Sequence, residues 1–308
     1  MTSFYEITPL DTLFFRGATP METGQYNAQS VFPPPATVLK GALWTAYCLK
    51  SGKDFSDGLV NGKIPAEITS FFIKKNDKCY APAPATWYYD CADKKKKGAE
   101  LNGVPLCVAK NMSGSFAKLN MKGSAGNVVF AVPKMDAKPL GGAWILVDFL
   151  QKPKAEFASD TVLFTSDIYS SESRTGVGLT PDKKAEDGKL YTSTHIRLHD
   201  GVTFVLAVES DIDFGEGKML LGGERRIAKY TKCELPTFAE NNSALYLSLM
   251  PIEANADNLS TLVASAKLAV TSGWDMAKGF HKPSVSWIPA GAVFNLKVND
   301  SCIPLGIL

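Results

Sequence analysis

Histidine and arginine are scarce in this sequence. Of 308 residues three are histidine (His195, His199, His281), and among 33 lysines and arginines only five are arginine (Arg16, Arg174, Arg197, Arg225, Arg226). The six cysteines (Cys48, Cys79, Cys91, Cys107, Cys233, Cys302) show no C-x-x-C spacing. That excludes a thioredoxin-type motif and a zinc knuckle and leaves buried free thiols as the expectation. No run of about 18 apolar residues occurs, so no membrane span is readable. The opening MTSFYEITPLD lacks the basic and long apolar regions of a secretory signal, and a cytoplasmic protein without membrane contact is expected. Charge of one sign is missing too: a net charge of +2 and a pI near 8.1 are too balanced to declare a nucleic-acid protein, so any basic surface must be local. No repeat of fixed period is visible.

What is present is 45% apolar residues, enough to fill one large domain or two ordinary ones. TSFYEITPL reads as a strand with Tyr5 and Ile7 on one face, followed by an irregular loop from Pro9 to Val31. In FPPPATVLKGALWTAYCLKSG the residues Val38, Leu39, Ala42, Leu43, Ala46 and Tyr47 recur at helical spacing, with Ser51-Gly52 as the stop. EITSFFIKKNDKCYAPAP predicts a hairpin around Asn76-Asp77, and KKKKGAELNGVPLC a polar excursion. GAWILVDFL is a strand or short helix, and TVLFTSDIY, GVTFVLAVES and ALYLSLMPI are strands. TLVASAKLAVT is expected to be a helix and SVSWIPAGAVFNLKV a closing hairpin. Frequent hairpins without sustained βα alternation favour α+β with antiparallel sheets over a doubly wound parallel sheet.

Chemistry of the catalytic or metal kind finds little support. HIRLH resembles a two-ligand spacing, but LYTSTHIRLHDGVTFVLAVES reads as strand, Asp-Gly turn, strand. On a strand, His195 and His199 would lie about 13 Å apart, too far for one ion. No metal site, cofactor or catalytic residue is assigned. The lysine block Lys94–Lys97 reads as a solvated loop, and WYYD at 87–90 as core aromatics rather than a base-stacking platform.

With lysine doing the generic solubilising, each arginine marks a place where a planar, fork-shaped donor is wanted. In PLDTLFFRG either Asp11 pairs with Arg16 while Leu13, Phe14 and Phe15 fill a core, or Arg16 contacts RNA beside an exposed aromatic. In ESRTGVGL either Arg174 meets a sugar-phosphate chain or Glu172 neutralises it. In LLGGERRIAKY, Gly222 and Gly223 permit close backbone approach and exposed amide donors, and Arg225 and Arg226 add charge and stacking surface; alternatively Glu224 pairs with them on a solvated turn. Prolines 33–35 precede a helix whose first amides lack partners, where Thr37 offers a hydroxyl and Gly41 allows close approach, either by a phosphate or by a packed neighbour.

PLDTLFFRG, FPPPATVLKGAL, ESRTGVGLTPDKKAEDGKLYTSTHIRL, LLGGERRIAKY and GWDMAKGFHKPSVSWIPAGAVF follow one another in an order that resembles a single family. It is the third Cmr subunit of type III-B CRISPR effector complexes, a RAMP protein that caps the 5′ end of the guide RNA. The likeness runs from Pro9 to about Phe294 and is weakest between Cys91 and Asp160. It implies two ferredoxin-like (RRM-like) domains, 1–165 with an insertion around 91–160, and 166–308. It further implies no catalytic site, binding of the CRISPR RNA 5′ handle, and pairing with the large polymerase-like Cmr subunit and the neighbouring Cmr backbone subunits. The residues expected to contact RNA are Arg16, Thr37, Lys40, Gly41, Arg174, Arg197, Gly222, Gly223, Arg225 and Arg226. Two rivals stand beside this reading. One is a RAMP endoribonuclease with His195, His199 or His281 as general base; the other is a scaffolding type III-A counterpart.

Overall fold

The computed structural model describes residues 1–17, 27–56, 58, 64–90, 101–111, 130–131, 136–235, 238, 243–271, 274–275, 280–281 and 283–306. The described fold is mixed α+β, with mostly antiparallel sheets and few helices. Two compact units emerge, each assembled from three chain segments: Met1–Ile68, Tyr169–Cys233 and Thr271–Ser284 in one, Thr69–Ile168, Glu234–Val270 and Val285–Leu308 in the other.

In the first unit the strand β1 (Thr2–Pro9) leads through β2 (Asn27–Gln29) to the helix α1 (Ala36–Ser51). A long hairpin follows, β3 (Tyr169–Leu179) and β4 (Ala185–Leu198), then β5 (Val202–Ser210), β6 (Gly217–Leu220) and β7 (Ile227–Cys233). Antiparallel pairing in the order β5-β1-β7-β6 makes a sheet. The period-2 pattern of β1 has its predicted outcome: Tyr5 and Ile7 are fully buried, together with Met219, Ala228 and Tyr230 on the same face. Tyr5 meets Phe214 and Tyr230 edge-on, and Tyr47 of α1 closes on Phe214, so helix and sheet share one aromatic core. α1 ends as predicted, with Gly52 in the left-handed conformation (φ 65°) and its amide bonded to the Cys48 carbonyl. The strand–turn–strand reading around Asp200-Gly201 also holds, Gly201 taking φ 73° between β4 and β5.

The described residues of the segment 9–31 are not the irregular loop expected. β2 joins β4 in parallel, Leu13 bridges Ile196 and Arg16 bridges Ser30.

In the second unit the hairpin Ala66–Lys75/Lys78–Pro82, whose first strand enters from the first unit at Ile68, turns as expected at Asn76 (φ 48°) and Asp77 (φ 64°). Trp87 is a core residue. Four expectations fail here. TVLFTSDIY, expected as a strand, is a strand only at Val162–Leu163 and then turns into the short helix Thr165–Ile168. The polar excursion is wrong over its later part, because Leu101, Val104, Leu106 and Cys107 are buried; Lys94–Lys97 lie outside the described residues. The helix expected over 261–271 lies earlier, at Ala256–Thr261, where Asn255 caps the Asn258 amide at 2.9 Å; the chain then extends as strands Leu262–Ala264 and Ala269–Thr271. The tail is no hairpin: Val285–Ile288 pairs with Ile252–Glu253, while Val293–Phe294 pairs with Tyr246–Ser248 and Leu262–Ala264. Between them Gly291 (φ 90°) has no room for a side chain, since a Cβ would sit 2.6 Å from the Ala83 carbonyl oxygen.

Candidate nucleic-acid interface

β3 and β4 pair from Tyr169↔Leu198 towards the hairpin end, setting Glu172 opposite His195 and Arg174 opposite Ser193. Alternation therefore puts Glu172 and Arg174 of β3 on the same face as Ser193, His195 and Arg197 of β4. Two other segments converge on this face. Leu13 exchanges both backbone hydrogen bonds with Ile196 at 2.8 Å, which anchors Asp11 there. The turn between β6 and β7 arrives because Gly223 donates its amide to the Phe14 carbonyl at 2.7 Å. Gly222, at φ 78°, passes so close that a Cβ would stand 2.5 Å from the Phe14 oxygen. The close approach foreseen for the two glycines is thus made to the protein's own Phe14-Phe15, and the Gly223 amide is engaged.

Three carboxylates and three arginines interlock where these segments meet. Arg226 donates from Nη1 to Asp11 Oδ2 at 2.5 Å and from Nη2 to Glu224 Oε2 at 2.7 Å. Arg174 reaches Glu172 Oε1 through Nη2 at 2.7 Å and Nε at 3.0 Å, and Arg197 Nε reaches Glu172 Oε2 at 2.6 Å. Asp11 Oδ1 lies 3.7 Å from Arg197 and 3.9 Å from Arg174, so one acid ties the hairpin to the turn. Hydrogen bonds from Arg197 and then Arg174 pull the Glu172 carboxyl down to about 2. The Thr12 amide, then the charges of Arg226, Arg174 and Arg197, hold Asp11 below its ordinary range. Burial pushes Glu224 up, but the hydrogen bond and charge of Arg226, together with His195 beside it, outweigh it and leave it lowered.

Beneath this network His195 is fully buried and stacked on Phe14, ring centroids 5.1 Å apart. Its Nδ1 is 3.3 Å from the Thr12 hydroxyl, and its Nε2 is 3.2 Å from the Ser193 hydroxyl and 3.3 Å from Glu224 Oε1. Burial lowers its pKa, which keeps the ring neutral near pH 7. Leu13, Phe14 and Phe15 are buried alongside, so this segment offers no exposed aromatic for stacking.

Three of the five arginines of the chain, Arg174, Arg197 and Arg226, meet at this place. Arg226 is largely buried, with its side chain 17% exposed, and Arg174 and Arg197 share Glu172. Arg16 and Arg225 are exposed, and neither has an ion-pair partner among the described residues. Arg225 is presented on a turn in which it and Glu224 both take positive φ, 53° and 55°. The pairing of Asp11 with Arg16 considered from sequence is replaced by pairing with Arg226: Arg16 lies beyond the Leu13 bridge, in its own bridge to Ser30. Glu172 and Glu224 do neutralise arginines as one reading allowed, although Glu224 selects Arg226 and leaves Arg225 unpaired.

The remaining expected contacts sit elsewhere in the first unit. Thr37 is exposed in the first turn of α1, which follows Pro35 without a side-chain cap, and Gly41 lies one turn further on. Lys40 is paired with Glu67 at 2.9 Å. No hydrogen bond or ion pair among the described residues joins these three to the arginine cluster. Among the described residues no group of three or more His, Cys, Asp and Glu is placed to hold a metal ion, and no helix is long and apolar enough to cross a membrane. The His281 side chain and most of GWDMAKGFHKP fall outside the described residues.

A sequence profile of the family described as CRISPR-associated protein (Cas_Cmr3) matches residues 5–257. Two solved structures share the fold. One is a chain of the type III-B Cmr-beta complex bound to cognate target RNA and AMPPnP, with 19% identity and a TM-score of 0.56 over 94% of this chain and 85% of that one. The other is from the same type of complex bound to cognate target RNA, with 19% identity and a TM-score of 0.55 over 94% and 86%. No curated protein matches the chain.

Proposed function

The chain belongs to the CRISPR-associated Cas_Cmr3 family, and from that premise we propose that it is the non-catalytic, RNA-binding subunit of a type III-B effector that holds the 5′ handle of the CRISPR RNA. The observation that carries the proposal is the convergence of three of the five arginines, Arg174, Arg197 and Arg226, on one face of the first unit, with Arg225 next in the chain to Arg226 and Arg16 five residues after Asp11. Three of them cancel against three carboxylates and build a rigid platform. Arg16 and Arg225 are left to supply unneutralised guanidinium groups, which suit phosphate. Thr37, Lys40 and Gly41 at the start of α1 are a second phosphate contact on this reading, and Arg174, Arg197, Gly222, Gly223 and Arg226 act mainly by positioning.

The same reading takes the halves 1–165 and 166–308 as ferredoxin-like folds that lend strands to one another, as β1 does to the sheet completed by β5, β6 and β7. It takes the large polymerase-like subunit and the backbone subunits as neighbours in the assembly. The endoribonuclease alternative is disfavoured at His195, which is buried and engaged through both ring nitrogens and cannot reach a ribose hydroxyl. The purified protein is expected to leave repeat RNA intact.

The experiment is recovery of RNA from the effector co-expressed with its repeat array, with the bound 5′ ends sequenced. The wild type should be enriched in RNAs beginning with repeat-derived sequence, and Arg16→Ala/Arg225→Ala should lose that enrichment while keeping its melting temperature. Unchanged enrichment in the double variant would overturn the reading.

A further inference from the structure

The outer face of the β1-β7-β6 sheet carries two rows of side chains that the RNA reading leaves unused. Leu220 and Ile227 are register partners, and Leu10 donates its amide to the Ile227 carbonyl at 3.0 Å, extending the β1-β7 ladder by one residue. Partners across antiparallel strands project to the same face, so Leu10, Ile227 and Leu220 form a row three strands wide. They are 56%, 43% and 51% exposed. The next row, two residues along each strand, is Thr8, Lys229 and Lys218, fixed by the pairs Thr8↔Lys229 and Lys218↔Lys229. Both lysines are exposed, and neither has an ion pair or side-chain hydrogen bond among the described residues. Along β7 and β6 the core makes no use of this face, because Met219, Ala228 and Tyr230 on the other side are the buried set there.

Like charges directly opposite on neighbouring strands repel, and three adjacent aliphatic side chains in water forgo burial. Both costs disappear against a surface of complementary character. We propose that this face docks a protein partner presenting aliphatic side chains beside carboxylates, the acidic edge of another subunit of the same effector. The aliphatic row decides for protein over RNA: single strands are gripped by stacking bases on aromatic rings, and the exposed apolar residues of this row are leucine and isoleucine only. The lysine row alone would attract either. The partner's backbone also has an opening, because β6 is the last strand of its sheet among the described residues. The proposal goes beyond the arginine cluster and does not depend on it.

The test mixes the protein with each of the other purified subunits of its own effector and measures complex formation at about 0.1 M and about 0.5 M salt. Melting temperature and binding of a synthetic handle RNA are measured in parallel. Leu220→Ser/Ile227→Thr should weaken binding of one subunit by at least about tenfold at both salt concentrations, as expected when central apolar anchors are removed, with the melting temperature and RNA affinity unchanged. Lys218→Glu/Lys229→Glu should weaken the same subunit comparably at low salt, with the loss shrinking as salt rises. Subunit binding indifferent to both changes would mean that the lysines merely protect an edge strand, and would overturn the proposal. So would wild type that binds no subunit, or a Leu220→Ser/Ile227→Thr variant that keeps its subunit but loses handle RNA, which would assign the face to nucleic acid. Should Leu220→Ser/Ile227→Thr melt early, the charge reversal alone decides by its salt-dependent loss or its absence.

Discussion

Arg225 and Arg226 are neighbours in sequence with opposite fates, and replacing each by alanine separates them. The Arg226 side chain is 17% exposed and bonded to Asp11 at 2.5 Å and Glu224 at 2.7 Å. Removing it breaks the tie between the β6–β7 turn and the segment after β1, and leaves Glu224 beside His195 with its other partner gone. A fully buried pair that loses one member costs about 3–5 kcal/mol, whereas an exposed pair is worth about 0.2–1 kcal/mol. Asp11 and Glu224 are 44% and 39% exposed, so water screens and rescues part of the loss. The expectation for Arg226→Ala is therefore about 2 kcal/mol, intermediate between those limits. At about 2–4 °C per kcal/mol for a unit of this size, the melting temperature should fall by about 4–8 °C. Arg225→Ala, exposed and unpaired, should stay within about 0.5 kcal/mol of wild type. Thermal unfolding followed by circular dichroism reads both. A variant order in which Arg225→Ala melts lower than Arg226→Ala, or an Arg226→Ala protein that melts with wild type, would refute the division of the two arginines.

Gly222→Ala should be more damaging than an ordinary surface change, by about 1–3 kcal/mol, because it combines positive φ with a Cβ placed 2.5 Å from the Phe14 oxygen; denaturant titration measures it. The Glu172 carboxyl is drawn down to about 2 in the folded protein, so the stability it adds is complete above about pH 4.5 and disappears as pH falls towards 2. The melting difference between wild type and Glu172→Gln should follow that window and vanish at its acid end. His195 has the opposite chemistry with the same pH trend: its folded pKa is lowered by burial, so the unfolded chain takes up the proton first and stability drops as pH falls below about 6.5. His195→Gln should flatten the fall below about pH 6.5, and an unaltered slope would show that His195 is not the group being protonated.

Local signals in the chain were sufficient where one segment decides its own structure. The alternation of TSFYEITPL, the spacing of α1 with its Ser51-Gly52 stop, and Asn76-Asp77 with both residues at positive φ all appear where expected. The helix expected over 261–271 failed because its register competes with an earlier start at the Asn255 cap, and because the following residues find strand partners such as Phe294 and Val293 that lie about thirty residues away. The arginine platform was half legible. Glu172-x-Arg174 on a strand already implies one face, and Glu224 beside two arginines implies neutralisation. Which arginine Glu224 takes, and that Asp11 answers Arg226 across a separation of 215 residues, is set by the Leu13–Ile196 bridge and the Gly223–Phe14 bond. Neither contact leaves a trace in local spacing. The burial of His195 is of the same kind, since its partners Thr12 and Glu224 come from distant segments.

The most direct test of the RNA reading is the salt dependence of handle-RNA binding. Binding of a synthetic single-stranded handle to wild type and to Arg16→Ala/Arg225→Ala is measured from low to physiological salt, and the logarithm of affinity is plotted against the logarithm of salt concentration. Each phosphate contact removed should reduce the slope by about 0.7, so the double variant should lose about 1.4 of slope with similar weakening for every sequence of equal length. A double variant with weaker binding but the wild-type slope, or with both unchanged, would contradict the assignment of these two arginines to the RNA backbone.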